Sequence, residues 1–274
     1  MVRPTVLRRA AVVLVLAAAC LYSQGCTSTK GTGPSGRPGA NDWEDTWEDG
    51  IPGTYGESAG GGAGRTVRLG TSEQGRPIKA TVFDGSAGCV LILGGIHGDE
   101  PSSAAMVKHL VRHLRRNPAD AAGKTVVCIP RANPDGLVRG TRGNASGVDL
   151  NRNFMTYNFD SGGSGGPSAL SEPESRALVT AISRFNPSCI VSVHSDLDCI
   201  DPDGGRSSNR LARRMVSVSP LPLKDLDARA GSLGSYGGNT LGLKMITYEL
   251  SHDSPSRVRF RDHMDALLLA IREG

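Results

Sequence analysis

The chain has 274 residues, and its 31 lysines and arginines against 27 aspartates and glutamates give a formal net charge of +4 at pH 7. This balance, with no block of basic residues interleaved with aromatic ones, argues against nucleic acid or another polyanion as the partner. The N-terminal part has the composition of unfolded chain, which leaves about 210 residues for one domain of ordinary size with a single core.

The first 26 residues have the pattern of a signal peptide. Three arginines precede an apolar run at 10–21, which is shorter than the roughly 20 residues of a membrane-spanning helix but suits the core of an export signal. Small residues before Cys26 resemble the cleavage site of bacterial lipoproteins, and Cys20 is a competing site. Neither cysteine has a leucine three residues before it, so ordinary secretion and a retained anchor stay open. We therefore expect export to the periplasm or cell envelope, with membrane attachment through a lipid on Cys26 or Cys20.

Residues 27–64 form a predicted tether. Gly, Ser, Thr and Pro dominate this stretch, and an acidic cluster surrounds Trp43 and Trp47. Such a composition cannot bury enough apolar surface to offset the entropy of ordering the chain, so we expect a flexible linker. The folded domain is then predicted to occupy residues 65–274.

This domain is predicted to open with a β-hairpin and a buried strand. Residues 66–69 and 78–83 have strand character and are separated by turn-forming glycines. The apolar run Cys89–Leu93 is too continuous to alternate between core and water, which indicates a buried strand of a parallel or mixed sheet. Two glycines follow it, so the chain can turn sharply there.

Half of a metal site follows this strand. His97 and Glu100 stand three residues apart and can offer a nitrogen and a carboxylate oxygen to one Zn²⁺ ion. A catalytic zinc needs a third protein ligand and keeps a position for water, so a second histidine is expected at a strand end. The apolar run at 189–193 reads as such a strand, and His194 follows it. Because sites in α/β sheets collect at the carboxyl ends of strands, His194 is predicted to complete the zinc site.

Helices are predicted between these strands. Apolar residues at helical spacing indicate a helix that begins at Pro101, and a strand is expected at 125–129. The stretch 130–159 is predicted to be a long loop, and loops longer than about 15 residues inside a compact domain are usually functional. Another helix is expected to begin with a capping box made by Ser171 and Glu174.

The last third of the chain continues the alternation. A short helix is predicted near 208–216, a loop of small residues at 231–236 and a strand at 243–248, with Glu249 at the exit of that strand. The final segment, 256–271, is amphipathic and is expected to cover the sheet. Alternating strands and helices make the predicted fold class α/β.

Five motifs, in order along the chain, resemble those of the zinc carboxypeptidase family. They are HGDE at 97–100, GVDLNRNF at 147–154, SEPES at 171–175, VSVHS around His194 and ITYEL at 246–250. The resemblance covers nearly all of the predicted domain and implies a mixed, largely parallel central sheet flanked by helices. Within the family, the stretches HSDLDCIDPDG and GSLGSY are most similar to bacterial murein peptide amidases, which cut the bond between γ-D-glutamate and meso-diaminopimelate in cell-wall peptides.

The resemblance implies roles at the zinc site. His97, Glu100 and His194 match the family's ligands for one zinc ion. Glu249 matches the catalytic carboxylate, which would take the proton of the attacking water and return it to the leaving amine. An acidic residue at the end of an apolar strand is costly unless it has such a role or a partner.

The resemblance also implies substrate contacts. Arg142, in an R-x-N pattern, corresponds to the arginine that polarises the scissile carbonyl, and Arg139 is its nearby rival. A guanidinium suits a developing oxyanion because it stays charged and donates in a fixed fork. Asn151 and Arg152 match the pair that grips the substrate's free carboxylate, with a turn and a surface ion pair as the alternative.

The chain departs from the family's pattern in two places. Larger carboxypeptidases have a mobile tyrosine shortly before the Gly-Ser loop, whereas residues 226–230 contain none, which makes Tyr236 the nearest candidate for substrate contact. Leu233, also predicted to bind substrate, is apolar where a charged residue could select basic ends. Four acids could contact an ammonium group or simply stabilise their own loop: Asp196, Asp198, Asp201 and Asp203.

Four cysteines follow the predicted signal peptide, and three of them lie in predicted strands. They are Cys89, Cys128, Cys189 and Cys199. Packing as small apolar groups is the common fate of such residues, but an oxidising envelope also permits a disulfide, with Cys199 as the first candidate. Cysteine ligation of the zinc is not expected because the cysteines show no paired spacing.

The favoured function is a zinc metallopeptidase that hydrolyses an amide next to a free carboxylate, with a peptide or muropeptide as its substrate. An N-acyl amino acid deacylase of the aspartoacylase kind shares the H-x-x-E pair, but the export signal and the SEPES and GSLGSY motifs favour the peptidase. A general carboxypeptidase acting on protein C-termini stays open because Leu233 permits it. A non-catalytic cell-wall-binding protein would have no need of Glu249.

Overall fold

A computed structural model describes residues 64–227, 229–251 and 259–274. The predicted signal peptide and all but the last residue of the predicted tether lie outside these ranges, so both stay predictions. Among the residues described, no helix has the length and apolar character needed to cross a membrane.

Seven strands make up one mixed sheet in the described part of the chain. Their bounds are β1 Arg65–Thr71, β2 Pro77–Phe83, β3 Cys89–Leu93, β4 Thr125–Ile129, β5 Cys189–Ser195, β6 Cys199–Pro202 and β7 Lys244–Leu250. Their order across the sheet is β1-β2-β4-β3-β5-β7-β6. The four central strands are parallel neighbours, and β2 and β6 run antiparallel to them. At one edge of the sheet, β1 pairs antiparallel with β2. The predicted mixed, largely parallel sheet is therefore confirmed.

Helices cover the sheet, and within the described ranges the α-helices are α1 Pro101–Arg116, α2 Pro134–Arg139, α3 Pro173–Phe185, α4 Arg206–Val216 and α5 Phe260–Glu273. Helices α1, α4 and α5 bury apolar side chains such as Leu110, Met215 and Leu267 in one core cluster with the sheet. Each such burial contributes roughly 1.5–3 kcal/mol to folding. Helix α3 packs against β1 instead, and none of its buried side chains belongs to that cluster.

Strand alternation separates the core from the site. On β5, Val191 and Val193 point into the core cluster, and on β7 Tyr248 does the same. Because successive side chains of a strand point to opposite faces, His194 and Glu249 project from the other face of the sheet. The apolar residues that fix the register of these strands therefore also fix where the functional side chains emerge.

The structure corrects four local predictions. The predicted loop at 130–159 contains helix α2 and a 3₁₀ turn, Leu150–Arg152. Strand β6 lies in the stretch predicted only as the loop after His194, because four residues carrying Asp and Pro give no strand pattern. The capping box is absent: α3 begins at Pro173, and its N-cap residue is Glu172 without a side-chain cap. Strand β7 is also longer than predicted, so that Glu249 lies within the strand.

The four described cysteines are free thiols, and all are buried. Burial raises the pKa of the Cys128 thiol to about 12 and that of Cys199 to about 11. A protonated, buried thiol behaves as a small apolar group. These cysteines therefore pack as small apolar groups, and the disulfide considered for Cys199 is not formed.

Candidate metal centre and active site

One cavity of about 540 Å³ opens at the carboxyl ends of the central strands. Among the side chains that line it are His97, Glu100, His194 and Glu249, together with two arginines, Arg142 and Arg152. The topology explains why these side chains lie together. Strands β3, β5 and β7 are adjacent and parallel, so the segment after β3 and the ends of β5 and β7 lie at the same edge of the sheet. Sites of α/β sheets form at this edge for the same reason.

The three predicted metal ligands converge in this cavity. His97 Nδ1 lies 2.6 Å from Glu100 Oε1, and His194 Nδ1 lies 3.1 Å from Glu100 Oε2. All three side chains are buried. The backbone N–H of Ser195 also donates to Glu100 Oε2 at 3.2 Å, which ties the carboxylate to the end of β5.

Outer hydrogen bonds aim the two imidazoles. His97 Nε2 lies 3.1 Å from Asp149 Oδ1, and His194 Nε2 lies 2.9 Å from Ser192 Oγ. With each Nε2 engaged on the outside, both Nδ1 atoms face the Glu100 carboxylate. Partners of this kind fix the orientation and tautomer of metal-binding histidines, and their loss typically weakens metal binding about 10- to 100-fold.

Glycines let the HGDE segment take this position. Gly95 has φ +64°, a conformation that side chains disfavour, and its N–H donates to Ser103 Oγ at the start of α1. A Cβ on Gly98 would overlap the backbone of Gly136 in α2. The segment that carries His97 can therefore lie directly against α2 only because Gly98 lacks a side chain.

The charges of the centre suit a divalent cation. Burial alone would lower the pKa of His97, but hydrogen bonds to Asp149 and Glu100 raise it to about 9. Burial would likewise raise the pKa of Glu100 and of Asp149, yet the neighbouring imidazoles hold both carboxyl pKa values well below their usual range. The carboxylates are therefore anionic at neutral pH, which is the state that metal binding requires, and an ion would displace the proton held by His97.

The donor set fits zinc. Zinc binds imidazole nitrogen and carboxylate oxygen at about 2.0–2.2 Å, so two ligands of one tetrahedral ion stand roughly 3.3–3.5 Å apart. The donor atoms of His97, Glu100 and His194 all lie within 4.8 Å of one another. Small outward shifts of these side chains are enough to seat one ion.

Glu249 stands beside the metal ligands on the neighbouring strand. Its backbone pairs with His194 across β5 and β7, and its side chain is only 7% exposed. Burial raises the pKa of its carboxyl above the usual value, against an opposing effect of His194. The backbone N–H of Leu197 donates to this carboxylate. A buried carboxylate of raised pKa at a metal site has the properties of a general base.

Arg142 reaches the centre from the loop after α2. Its Nε donates to Asp149 Oδ2 at 3.0 Å, and its Nη1 lies 3.6 Å from Glu100 Oε1, while 48% of the side chain stays exposed. The rival Arg139 donates instead to the carbonyl of Ala145 and does not line the cavity. Of the two arginines, the structure therefore brings Arg142 to the metal ligands.

Asn151 and Arg152 are held in place by the 231–236 loop. Asn151 Oδ1 accepts the N–H of Leu233 at 2.9 Å, so the amide nitrogen is the group of this side chain that can donate to a ligand. A Cβ on Gly165 or on Gly231 would overlap the carbonyl oxygen of Arg152. Two glycine-bearing loops thus enclose the backbone of Arg152 and leave its guanidinium to line the cavity.

Leu233 and Tyr236 lie outside the cavity, contrary to their predicted contact with substrate. The Leu233 side chain is 1% exposed, and the residue acts through its backbone bond to Asn151. Tyr236 is buried and stacks on Phe154 with ring centroids 5.7 Å apart. Arg229 lines the cavity within the segment where the family's tyrosine is missing. The apolar side chain of Leu233 therefore serves packing, because the loop turns it towards the core.

Several supporting residues went unpredicted. Asp149 bonds both His97 and Arg142, yet only its place within the DLNR stretch marked it out. Asn144 Nδ2 donates to Glu172 at 2.7 Å and to Glu174 at 3.0 Å, while Asn144 Oδ1 accepts two backbone N–H groups of its own loop. The SEPES motif thus supplies two carboxylates that fix the loop between Arg142 and Asp149, rather than a helix cap.

Sequence comparison identifies relatives of this site. The sequence profile described as zinc carboxypeptidase matches residues 62–200. Murein peptide amidase A of Escherichia coli (strain K12) is 36% identical over 177 residues, which cover 58% of this chain and 69% of the relative. Murein peptide amidase A of Vibrio campbellii is 33% identical over 200 residues, which cover 66% and 77%.

Structure comparison gives the same picture. The crystal structure of murein-tripeptide amidase MpaA from Escherichia coli O157 matches with a TM-score of 0.58 at 31% identity, covering 76% of this chain and 91% of that one. Carboxypeptidase A from Helicoverpa armigera matches with a TM-score of 0.65 at 18% identity, covering 77% and 68%, a likeness that shows the fold alone. The chain therefore belongs to the zinc carboxypeptidase family and is an enzyme of that kind, as the profile match, these relatives and a His-Glu-His group that suits one zinc ion show.

Proposed function

We propose that this enzyme hydrolyses the amide between γ-D-glutamate and meso-diaminopimelate in peptides derived from peptidoglycan. The observation that carries the proposal is one cavity whose lining includes a zinc-ligand set, the buried Glu249 carboxylate and the arginines Arg142 and Arg152. Such a cavity suits an amide next to a free carboxylate. The relatives named murein peptide amidase, 33–36% identical to this chain, support the choice of this amide.

The proton transfers fall to Glu249. Zinc held by His97, Glu100 and His194 would polarise the scissile carbonyl and lower the pKa of a water from 15.7 to about 7. Glu249 projects from the same face of the sheet as His194, and it would accept the proton of the attacking water and return it to the leaving amine.

The arginines bind the two oxygen groups of the substrate. Arg142 uses its Nε on Asp149, so its terminal nitrogens can donate to the carbonyl oxygen as that oxygen gains negative charge. Arg152 and the amide nitrogen of Asn151 would bind the free carboxylate of the residue on the leaving side. The substrate is thereby fixed at two points on either side of the reacting bond.

Product analysis tests the substrate. The full-length, zinc-loaded protein is incubated with L-Ala-γ-D-Glu-meso-diaminopimelate, with an ordinary peptide ending in a free carboxylate and with an N-acyl amino acid, and products are identified by mass. We expect release of diaminopimelate and L-Ala-γ-D-Glu at a far higher rate than any other cleavage. Preferential trimming of the ordinary peptide, or deacylation, would replace the proposal with the corresponding rival, and no cleavage at all would leave only a binding role.

We also propose that the protein is exported and anchored to the cell envelope by a lipid on Cys26. The support is the sequence pattern at 1–26 alone. In cells fed a labelled fatty acid, the natural chain should carry label and the Cys26→Ser variant should not. Label that persists in Cys26→Ser but disappears in Cys20→Ser would move the anchor to Cys20, and absence of label from the natural chain would favour ordinary secretion.

A further inference from the structure

The cavity contains a buried carboxylate that neither the metal centre nor the proton transfers use. Asp203, just after β6, lines the cavity and is 6% exposed. It accepts a hydrogen bond from Thr247 Oγ1, and none of the ion pairs among the described residues includes it. A buried carboxylate without a cationic partner is costly to ionise, and burial raises the pKa of Asp203 to about 7. Such a group is stabilised by any cation that reaches it.

The hydroxyl that bonds the Asp203 carboxylate belongs to the same strand as the proposed base. Thr247, which carries this hydroxyl, is two residues before Glu249 on β7, so both side chains project from the same face of the sheet, about 6.6 Å apart along the strand. The charges of His194 and Glu249 also act on Asp203. A substrate whose amide lies at Glu249 can therefore reach Asp203 with a side chain as long as that of lysine or diaminopimelate.

A glycine keeps Asp203 accessible. A Cβ on Gly234 would overlap the Asp203 carboxylate, and Gly234 itself lines the cavity. A Cβ on Gly238 would overlap the backbone carbonyl of Asp203, so the backbone is held closely from the other side. The loop therefore fixes the position of this carboxylate while placing no side chain over it.

The same loop connects Asp203 to the pair that would bind the free carboxylate. Gly231 lies against the backbone of Arg152, Leu233 N–H bonds Asn151, and Gly234 lies against Asp203. These contacts fall within four consecutive residues, a span of roughly 10 Å at most between the first and the last. One amino acid can thus present its carboxylate to Arg152 and its side-chain terminus to Asp203.

A second acid strengthens the negative field. Asp201 is buried, lines the cavity and accepts the N–H of Leu226 at 3.2 Å. Asp201 and Asp203 stand at alternate positions of an extended segment, which favours the same side for both. Burial raises the pKa of Asp201 as well, and none of the ion pairs among the described residues includes it. A cationic group between them would offset both charges.

We infer that Asp203, supported by Asp201, binds the ammonium group on the side chain of the substrate's leaving residue and so selects a residue with a cationic side chain. The inference rests on the proposed function, because diaminopimelate carries such an ammonium group. The bond to Thr247 is the structural alternative, in which Asp203 only ties the end of β6 to β7.

A matched pair of substrates tests the inference. The full-length zinc enzyme is assayed on L-Ala-γ-D-Glu-meso-diaminopimelate and on the same tripeptide ending in 2-aminopimelate, which lacks only the side-chain amine. We expect Asp203→Asn, which preserves an acceptor for Thr247, to lower kcat/KM for the first substrate by about 10- to 150-fold, the effect of one charged hydrogen bond, and to leave the second nearly unchanged. Equal losses on both substrates, or none on either, would overturn the inference.

Two further variants separate recognition from folding. Thr247→Val removes the structural bond and preserves the carboxylate, so it should retain the preference for the amine. Loss of that preference in Thr247→Val would contradict direct recognition of the amine by Asp203. Asp198→Asn changes an exposed acid in the loop before β6, which bonds Ser251 and lies outside the cavity lining, and it should change the rate on neither substrate. Melting temperatures and zinc content show whether each variant is folded and loaded.

Failure of the proposed function would look different. If the natural enzyme cleaves neither tripeptide, the substrate proposal fails, and the Asp203 inference is then measured on simple N-acyl dipeptides ending in lysine or norleucine. Preference for lysine that Asp203→Asn removes would still support it. Absence of such a preference in the natural enzyme would overturn it.

Discussion

Replacing Glu249 by glutamine changes the proposed base and little else. The substitution preserves the size of a side chain that is 7% exposed, and the amide oxygen can still accept the N–H of Leu197. The direct bonds among His97, Glu100 and His194 do not include Glu249. We therefore expect one zinc per chain in Glu249→Gln and no loss of thermal stability beyond about 1 kcal/mol.

Turnover should fall steeply in this variant. General acid–base catalysis contributes about 10²- to 10⁴-fold, and glutamine cannot accept the proton of the attacking water, so kcat should fall within this range while KM changes little. Zinc content by elemental analysis and steady-state hydrolysis of L-Ala-γ-D-Glu-meso-diaminopimelate are measured on the same preparation. Glu73→Gln, an exposed glutamate outside the cavity lining, is the control and should retain full activity.

Two results would refute this reasoning. A zinc-loaded Glu249→Gln enzyme that retains more than about a tenth of the natural kcat would remove Glu249 from the role of base, since the expected loss is at least about 100-fold. A variant that fails to bind zinc would show that Glu249 helps to hold the metal instead.

Three further substitutions test the surroundings of the centre. Arg152→Ala should lower kcat/KM at least about tenfold for substrates with a free carboxylate and much less for amidated substrates. Arg213→Ala, at an exposed position on α4, is the control. Equal losses on the free and the amidated substrates would exclude binding of the free carboxylate by Arg152. Asp149→Asn should weaken zinc affinity about 10- to 100-fold in a competition titration with a chelator, and unchanged affinity would show that the bond to His97 is dispensable. Gly231→Ala puts a Cβ at φ +66° against the Arg152 carbonyl, so it should lower the free energy of unfolding by about 1–3 kcal/mol and raise KM; a stable variant with natural KM would contradict the close approach.

The centre of this site was predictable because its residues follow local rules. The uninterrupted apolar runs before His97 and His194 indicate buried parallel strands, and the carboxyl ends of such strands meet at one edge of the sheet. The structure places both histidines and Glu100 in one buried group by this geometry. Glu249 follows the same rule on the neighbouring strand.

The surroundings were not predictable because they depend on contacts between distant parts of the chain. The direction of the Leu233 side chain is set by how the 231–236 loop closes over Arg152, which no local pattern encodes. Glu174, three residues after Ser171, satisfies the capping-box pattern, yet its carboxylate accepts a hydrogen bond from Asn144, which lies 30 residues away in the sequence. The position of Asp203 likewise depends on Thr247 and Gly234, which come far later in the chain.

Because His194 and Glu249 pair across two strands of the sheet, we expect the metal centre to withstand heat better than the loops that carry the substrate-binding arginines. Both residues lie on neighbouring parallel strands of the sheet, and core strands of this kind open with free energies that approach the free energy of global unfolding. Arg142 lies on a loop and Arg152 at the end of a short 3₁₀ turn, and segments of this kind open at lower free energy than central strands. Moderate warming should therefore weaken substrate binding by Arg142 and Arg152 while the metal ligands and Glu249 keep their positions. Activity should then return on cooling, because the domain has not unfolded.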